Sequence, residues 1–82
     1  MLKVIPLKVA DIYMPTARKK ELDPEKIETI TQAMLAGEAI SPIKVREGKG
    51  RYVLQKGANR LEAAMKVGES EIGAYIVQAP KF

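Results

Sequence analysis

Cysteine and histidine are both missing from the 82 residues, and aromatic side chains make up only 5% of them. Without cysteine there is no disulfide, no thiolate metal site and no sulfur nucleophile. Without histidine as well, zinc ligation, a Ser-His-Asp triad and imidazole general-base catalysis fall away. The chemistry left belongs to carboxylates, lysine, arginine, hydroxyls and backbone amides. Long hydrophobic runs are missing too, because charge interrupts the apolar residues everywhere. No stretch approaches the roughly 18 apolar residues of a membrane span, and the segment from Met1 to Leu7 lacks the length and cleavage site of a signal peptide. The expectation is a soluble, cytoplasmic protein with no membrane partner. Its length suits one small domain, residues 1–82, which buries only about 60% of the surface its unfolded chain exposes and leaves little material for a deep enzyme cleft.

What the chain does have is unevenly placed positive charge. The formal net charge is +4 and the pI is near 9.5. The excess lies in two segments. Lys3, Lys8, Arg18, Lys19 and Lys20 outweigh Asp11 in the first twenty residues, and Lys44, Arg46, Lys49, Arg51, Lys56 and Arg60 outweigh Glu47 between residues 41 and 60. Residues 21–40 are acidic by contrast, with Glu21, Asp23, Glu25, Glu28 and Glu38 against Lys26. Two basic segments suggest a face that attracts nucleic acid or a nucleotide's phosphates. Cations that solubilise strand edges would leave the same trace.

The pattern along the chain predicts an α+β domain in the order β-loop-α-β-β-α-β. Lys3 to Leu7 suits a first strand at a sheet edge, since Pro6 cannot donate a ladder hydrogen bond. Residues up to Leu22 have no period and read as a loop with at most a turn of helix. Asp23-Pro24-Glu25 then combines an N-cap acceptor, a proline at the first helical position and an acid suited to the helix dipole. Ile27, Ile30, Ala33 and Met34 give this helix an apolar face, and Gly37 ends it. Ile43 to Arg46 alternates apolar and basic, Glu47-Gly48-Lys49-Gly50 is a hairpin signal, and Arg51 to Gln55 returns. A second helix is expected from Ala58 to Val67. Its stripe would be Leu61, Ala64 and Met65, with a Glu62–Lys66 ion pair one turn apart. Gly68 would end it, and Ile72 to Val77 would form the last strand. Both helices should pack on the sheet to hide their stripes.

One junction stands out chemically. Gln55-Lys56-Gly57-Ala58-Asn59-Arg60 passes from strand to helix through a glycine between cations. The first backbone N–H groups of a helix are unpaired and carry partial positive charge, so such a turn can cradle an anion. Lys56 and Arg60 would add charge-assisted contacts, Arg60 through two parallel hydrogen bonds. The alternative is that Gly57 only makes the bend and Asn59 serves as N-cap. Arg18 and Lys19 either fold over the same anion or lie solvated in a loop. Glu21 and Glu25 are the available candidates for a catalytic base or a metal contact, although acids at a helix start ordinarily serve the cap and dipole. No residue set suggests a dedicated metal site. Tyr13, Tyr52 and Tyr75 suit packing better than base stacking.

Taken in order, these pieces resemble the N-terminal domain of the ParB family, which shares its fold with sulfiredoxin. The resemblance runs over nearly the whole chain: Ile5-Pro6-Leu7, then Pro15, Arg18 and Lys19, the helix from Asp23 to Gly37, Pro42 to Arg46, Gly50 to Leu54, Gly57 to Ala64, and Gly68 with the closing strand. It implies a small mixed sheet with two main helices. It also implies that the loop before the second helix, typically Gly-Glu-Arg-Arg in ParB proteins and Gly-Gly-Cys-His-Arg in sulfiredoxins, binds nucleotide phosphates here through Gly57 to Arg60. The arginine-bearing segment after the first strand, often Gln-Pro-Arg-Lys in ParB, falls on Thr16-Ala17-Arg18-Lys19 and would add nucleotide contacts.

The departures matter as much. Ala58 stands where ParB has its motif glutamate and sulfiredoxin its catalytic cysteine, which excludes sulfinic-acid reduction and argues against ParB-type cytidine triphosphate hydrolysis. Asn59 replaces an arginine or histidine, and Thr16 replaces the loop glutamine. The sequence carries no helix-turn-helix or dimerisation segment of a partition protein, nor the extra chain that free-serine kinases of the superfamily use for their amino acid, so a stand-alone domain is expected. Three functions follow. One is binding of nucleic acid by Lys44, Arg46, Lys49 and Arg51, DNA being the expected partner. Another is nucleotide binding at Arg18, Lys19, Lys56, Gly57, Ala58, Asn59 and Arg60, with a nucleoside triphosphate and magnesium as the implied cofactor and phosphotransferase, NTPase or nuclease activity as its extension. The last is a protein-interaction domain that forms a homodimer through a sheet edge.

Overall fold

A computed structural model describes residues 3–78. Five strands form one mixed sheet: β1 (Ile5–Lys8), β2 (Ile12–Tyr13), β3 (Ile43–Gly48), β4 (Arg51–Lys56) and β5 (Glu71–Ile76), in the spatial order β1-β5-β3-β4-β2. β1 pairs antiparallel with β5 and lies at an edge, where Pro6 is tolerated. β5 runs parallel to β3, β3 antiparallel to β4, and β4 parallel to β2. The helices are α1 (Thr16–Lys19), α2 (Pro24–Leu35) and α3 (Ala58–Val67).

The first strand is displaced from the expected Lys3–Leu7, and the loop that follows holds more structure than its sequence suggests. A 3-10 turn at Val9–Asp11 leads into β2, whose Ile12 and Tyr13 lie beside Tyr52 and Val53. A strand of two residues shows no alternation, so only its neighbour reveals it. The β3–β4 hairpin turns at Lys49-Gly50, and both strands run further than predicted. At the start of α2, the Asp23 carboxylate accepts from the Glu25 amide at 3.0 Å, as the Asp-Pro-Glu signal requires. Gly37 follows the last turn with φ +78°, the left-handed conformation expected of it.

The core lies on one side of the sheet. Ile43, Val45, Leu54, Ile72 and Ala74 point inward along their strands to meet Ala58, Leu61 and Ala64 of α3. Leu61 and Ile43 are 1% and 0% exposed. Met65, expected in the stripe, is 46% exposed instead. Met65 shares the angular face of Ala58 and Leu61 but sits in the last turn of α3, where it lines an open depression with Val9, Ala10 and Gly68 instead of meeting the sheet.

The two helices are not equivalent. α3 packs on the sheet, whereas α2 packs chiefly on α3 and buries only Thr31 fully. The expectation that both stripes lie on the sheet therefore holds for α3 alone. Two polar contacts tie α2 to α3. At one end the Asp23 amide donates to Asn59 Oδ1 at 2.8 Å, and Asn59 Nδ2 donates to the Glu21 carbonyl at 3.3 Å. Asn59 is thus not the N-cap. The helix begins at Ala58, two residues before an Asn59 cap would start it, with Gly57 in the cap position, and this frees the amide side chain to clasp the entry of α2. Near the middle of α2, Lys66 Nζ reaches Glu28 Oε2 at 3.0 Å. This contact replaces the predicted Glu62–Lys66 pair, because side-by-side helices bring an acid of α2 within reach.

Two outcomes test this packing. Leu61→Ala is expected to destabilise the domain by about 2–5 kcal/mol in urea unfolding, and Met65→Ala by no more than about 0.5 kcal/mol. The Glu28 carboxyl is held below the usual carboxylate range, first by the hydrogen bond from Gln32 and then by Lys66. A depressed folded-state value adds stability that is present above the unfolded value and lost as pH falls through the folded one. Glu28→Gln should therefore lower the urea midpoint slightly near neutrality and leave it unchanged in strong acid.

Candidate functional site

The turn from β4 into α3 is sterically closed to any residue but glycine. Gly57 has φ +109°, and a Cβ there would lie 2.6 Å from Ile43 Cγ2. The bend that sequence reasoning allowed as a purely mechanical role is real, and it seats the first turn of α3 against the buried strand β3. Ala58, 2% exposed, puts its methyl into the core and only borders the groove beside α2. No side chain caps α3, and its first turn holds no acid. The earliest amide of this turn with a backbone partner is that of Leu61, which donates to the Gly57 carbonyl. The N–H groups of Ala58, Asn59 and Arg60 are therefore the unpaired donors of the helix start.

They open onto a groove of about 600 Å³ between the starts of α2 and α3. One wall is Lys56, Gly57, Ala58, Asn59 and Arg60; the other comes from Glu21, Asp23, Glu25, Lys26, Thr29 and Ile30. The structure thus brings five of the seven expected phosphate contacts together, along with both candidate acids. Arg18 and Lys19 stand outside the lining. Arg18 instead donates to the Gln55 carbonyl at 3.0 Å and pairs with Glu21 at 2.9 Å. It braces the end of β4 and offsets the charge of one groove acid. Lys19 is exposed.

Arg60 is partly committed. Its Nη1 donates to the carbonyls of Ser41 and Pro42 at 3.1 and 2.6 Å. The guanidinium therefore pins the segment leading into β3, and only Nη2 and Nε remain for an anion. Of the acids, Asp23 is spent on capping α2 and Glu21 on Arg18, while Glu25 lines the groove from the first turn of α2. Among the described residues, no three acids gather closely enough to hold a metal ion. The groove separates its charge, with cations on the α3 side and carboxylates on the α2 side. Lys26, Thr29 and Ile30 were not anticipated as lining residues, because nothing local in the sequence says that α2 lies beside α3.

The second expected set is also placed by the fold. Lys44, Arg46 and Arg51 share the outer face of the sheet, and Lys49 sits at the hairpin turn rather than on a strand. Among the described residues, no helix is long and apolar enough to cross a membrane.

With this geometry established, comparison with solved structures identifies the fold. The chain superposes on sulfiredoxin from Arabidopsis thaliana with a TM-score of 0.80 and 26% identity, over 94% of this chain and 86% of that one. It is similarly close to the chromosome-partitioning protein ParB from Caulobacter crescentus complexed with CTP-gamma-S. There the TM-score is 0.79 and the identity 17%, over 96% of this chain but only 46% of that one. A free serine kinase mutant in complex with AMP matches with a TM-score of 0.74 and 16% identity, over 90% of this chain and 30% of the kinase. No curated protein matches by sequence. The α+β architecture is the one seen in sulfiredoxin and in the ParB protein. The family model for the ParB N-terminal domain extends over residues 2–81, so nearly every residue discussed above falls within it, and the chain belongs to that family.

Proposed function

We propose that this domain binds a nucleotide by its phosphates at the N-terminus of α3. The observation that carries the proposal is the uncapped first turn behind Gly57. Three backbone N–H groups there open onto a groove of about 600 Å³, within the range of small-molecule sites. Partial positive charge at the helix start favours an anion, and Lys56 and the free edge of Arg60 stand beside it. The nucleotide-bound ParB and serine kinase neighbours support the same ligand class.

The remaining chemistry follows from the side chains. Ala58 supplies no nucleophile and no acid, so its contribution to binding is its amide. The carboxylate wall opposite would repel a bare polyphosphate. A magnesium ion would relieve that repulsion. It binds through one or two carboxylates together with substrate phosphates, and Glu25, the acid without a structural partner here, is the residue to hold it. Arg18 keeps Glu21 from adding to the repulsion.

Thermal-shift measurements with nucleoside triphosphates, with and without magnesium, test the proposal. Saturation at one hundred times Kd should stabilise the fold by about 2.7 kcal/mol, on the order of 10 °C for a domain this size. Lys56→Glu should keep the unliganded Tm and lose most of the shift. If no triphosphate moves the Tm under either condition, the proposal is wrong.

A further inference from the structure

Strand alternation assigns every strand residue to one of two faces, and the outer face has a composition of its own. Inward go Leu7, Ile12, Ile43, Val45, Tyr52, Leu54, Ile72, Ala74 and Ile76, all in or against the core. Outward, by register, go Lys8 and Glu71, Tyr75 beside Lys44, Arg46 beside Val53 beside Tyr13, and Arg51. Four cations thus face a single acid, Glu71, which lies opposite Lys8 and is offset by it. Both helices that fill the other side leave this face uncovered: Lys44 and Arg51 are exposed, and Tyr13 is 41% exposed.

The aromatic residues on this face do not behave as packing residues. Tyr52 joins the core, whereas Tyr13 and Tyr75 stand outside it. The Arg51 guanidinium lies over the Tyr13 ring, 3.9 Å from its centroid, and holds that ring in place. Val53, only 7% exposed although it points outward, is sheltered between its neighbours Arg46 and Tyr13. The result is an open, basic surface with two rings. They lie three strands apart, roughly 14 Å across the sheet.

From this surface we infer that the outer face of the sheet binds single-stranded nucleic acid. Charge complementarity selects a polyanion. The rings select its form, because unpaired bases present faces that stack on aromatic rings and on guanidinium planes, while a duplex hides them. Among the described residues, no helix stands on this face to enter a major groove. Lys44 and Arg46, between the rings, would neutralise phosphates of the strand that bridges Tyr75 and Tyr13. Lys56, which lines the groove at α3, is the cross-strand partner of Lys44 across a bulge, so the two surfaces meet at that end of β4.

Fluorescence anisotropy with a labelled oligodeoxythymidylate or oligouridylate, and with a duplex of equal length, tests the inference. One or both single strands should bind more tightly than the duplex, with affinity falling steeply as salt rises. Lys44→Ala should reduce the logarithmic salt slope by about 0.7, the amount for one phosphate on a single strand. Tyr75→Leu should weaken binding about 5- to 150-fold, the equivalent of one lost stacking contact, and leave the slope unchanged. Lys26→Glu, on the α2 wall of the groove, should retain full sensitivity to both changes. The inference fails if neither single strand binds, if the duplex binds as well as they do, or if Tyr75→Leu binds normally.

Discussion

The contact between Gly57 and Ile43 leaves no room for even one additional carbon, and much of the molecule depends on it. A Cβ at Gly57 would sit 2.6 Å from Ile43 Cγ2, and Ile43 is wholly buried at the centre of the sheet. The chain can therefore turn from β4 into α3 only through glycine, and only at this height above the sheet. That position drives Ala58, Leu61 and Ala64 into the core. It leaves the first amides of α3 at the surface, facing the start of α2. Arg60, one turn on, fixes the segment before β3 through two carbonyls. One steric constraint thus sets the packing of α3, the entry to β3 and the direction of the unpaired donors.

The placement of α2 completes the groove and is a weaker arrangement. α2 has little contact with the sheet and leaves Leu35 65% exposed. What holds it is α3, through Asn59 at its start and the exposed Lys66–Glu28 pair near the middle. Exposed ion pairs contribute little, so the Asn59 clasp and the half-buried apolar stripe must do most of the positioning. Asn59 lines the groove and ties its two walls together, so its polar side chain serves architecture while its backbone amide remains available to a ligand. The same division holds for Arg60, whose Nη1 is structural.

Much of this was legible in the sequence, and the exceptions have a common cause. Asp23-Pro24-Glu25 and Gly37 announce α2 because caps are local chemistry. The alternation from Ile43 to Arg46 announces β3 because period two needs no partner to be seen. The turn at Gly57 was recognisable as a candidate anion cradle from its glycine and flanking cations alone. The features that could not be read are those defined by another segment. β2 exists as two residues beside β4. Lys66 finds Glu28 rather than Glu62 because α2 lies against α3. Asn59 looked like a cap until its partners across the groove were known. Tyr13 read as a packing residue, yet it is 41% exposed beside Arg51, because sequence does not say which face of a sheet is left bare.

Charge is distributed in the same layered way. The acids of residues 21–40 fall on α2 and its approach, at the helical side, while Lys8, Lys44, Arg46 and Arg51 cover the outer sheet. The uneven charge along the chain is therefore a separation between faces of the fold. The central claim concerns the boundary between them, where α3 begins. An NMR titration of the isotopically labelled domain with a magnesium-bound nucleoside triphosphate tests it residue by residue. The amides of Ala58, Asn59 and Arg60 should show the largest shifts and saturate together. A titration in which those three stay still while others move would contradict the claim.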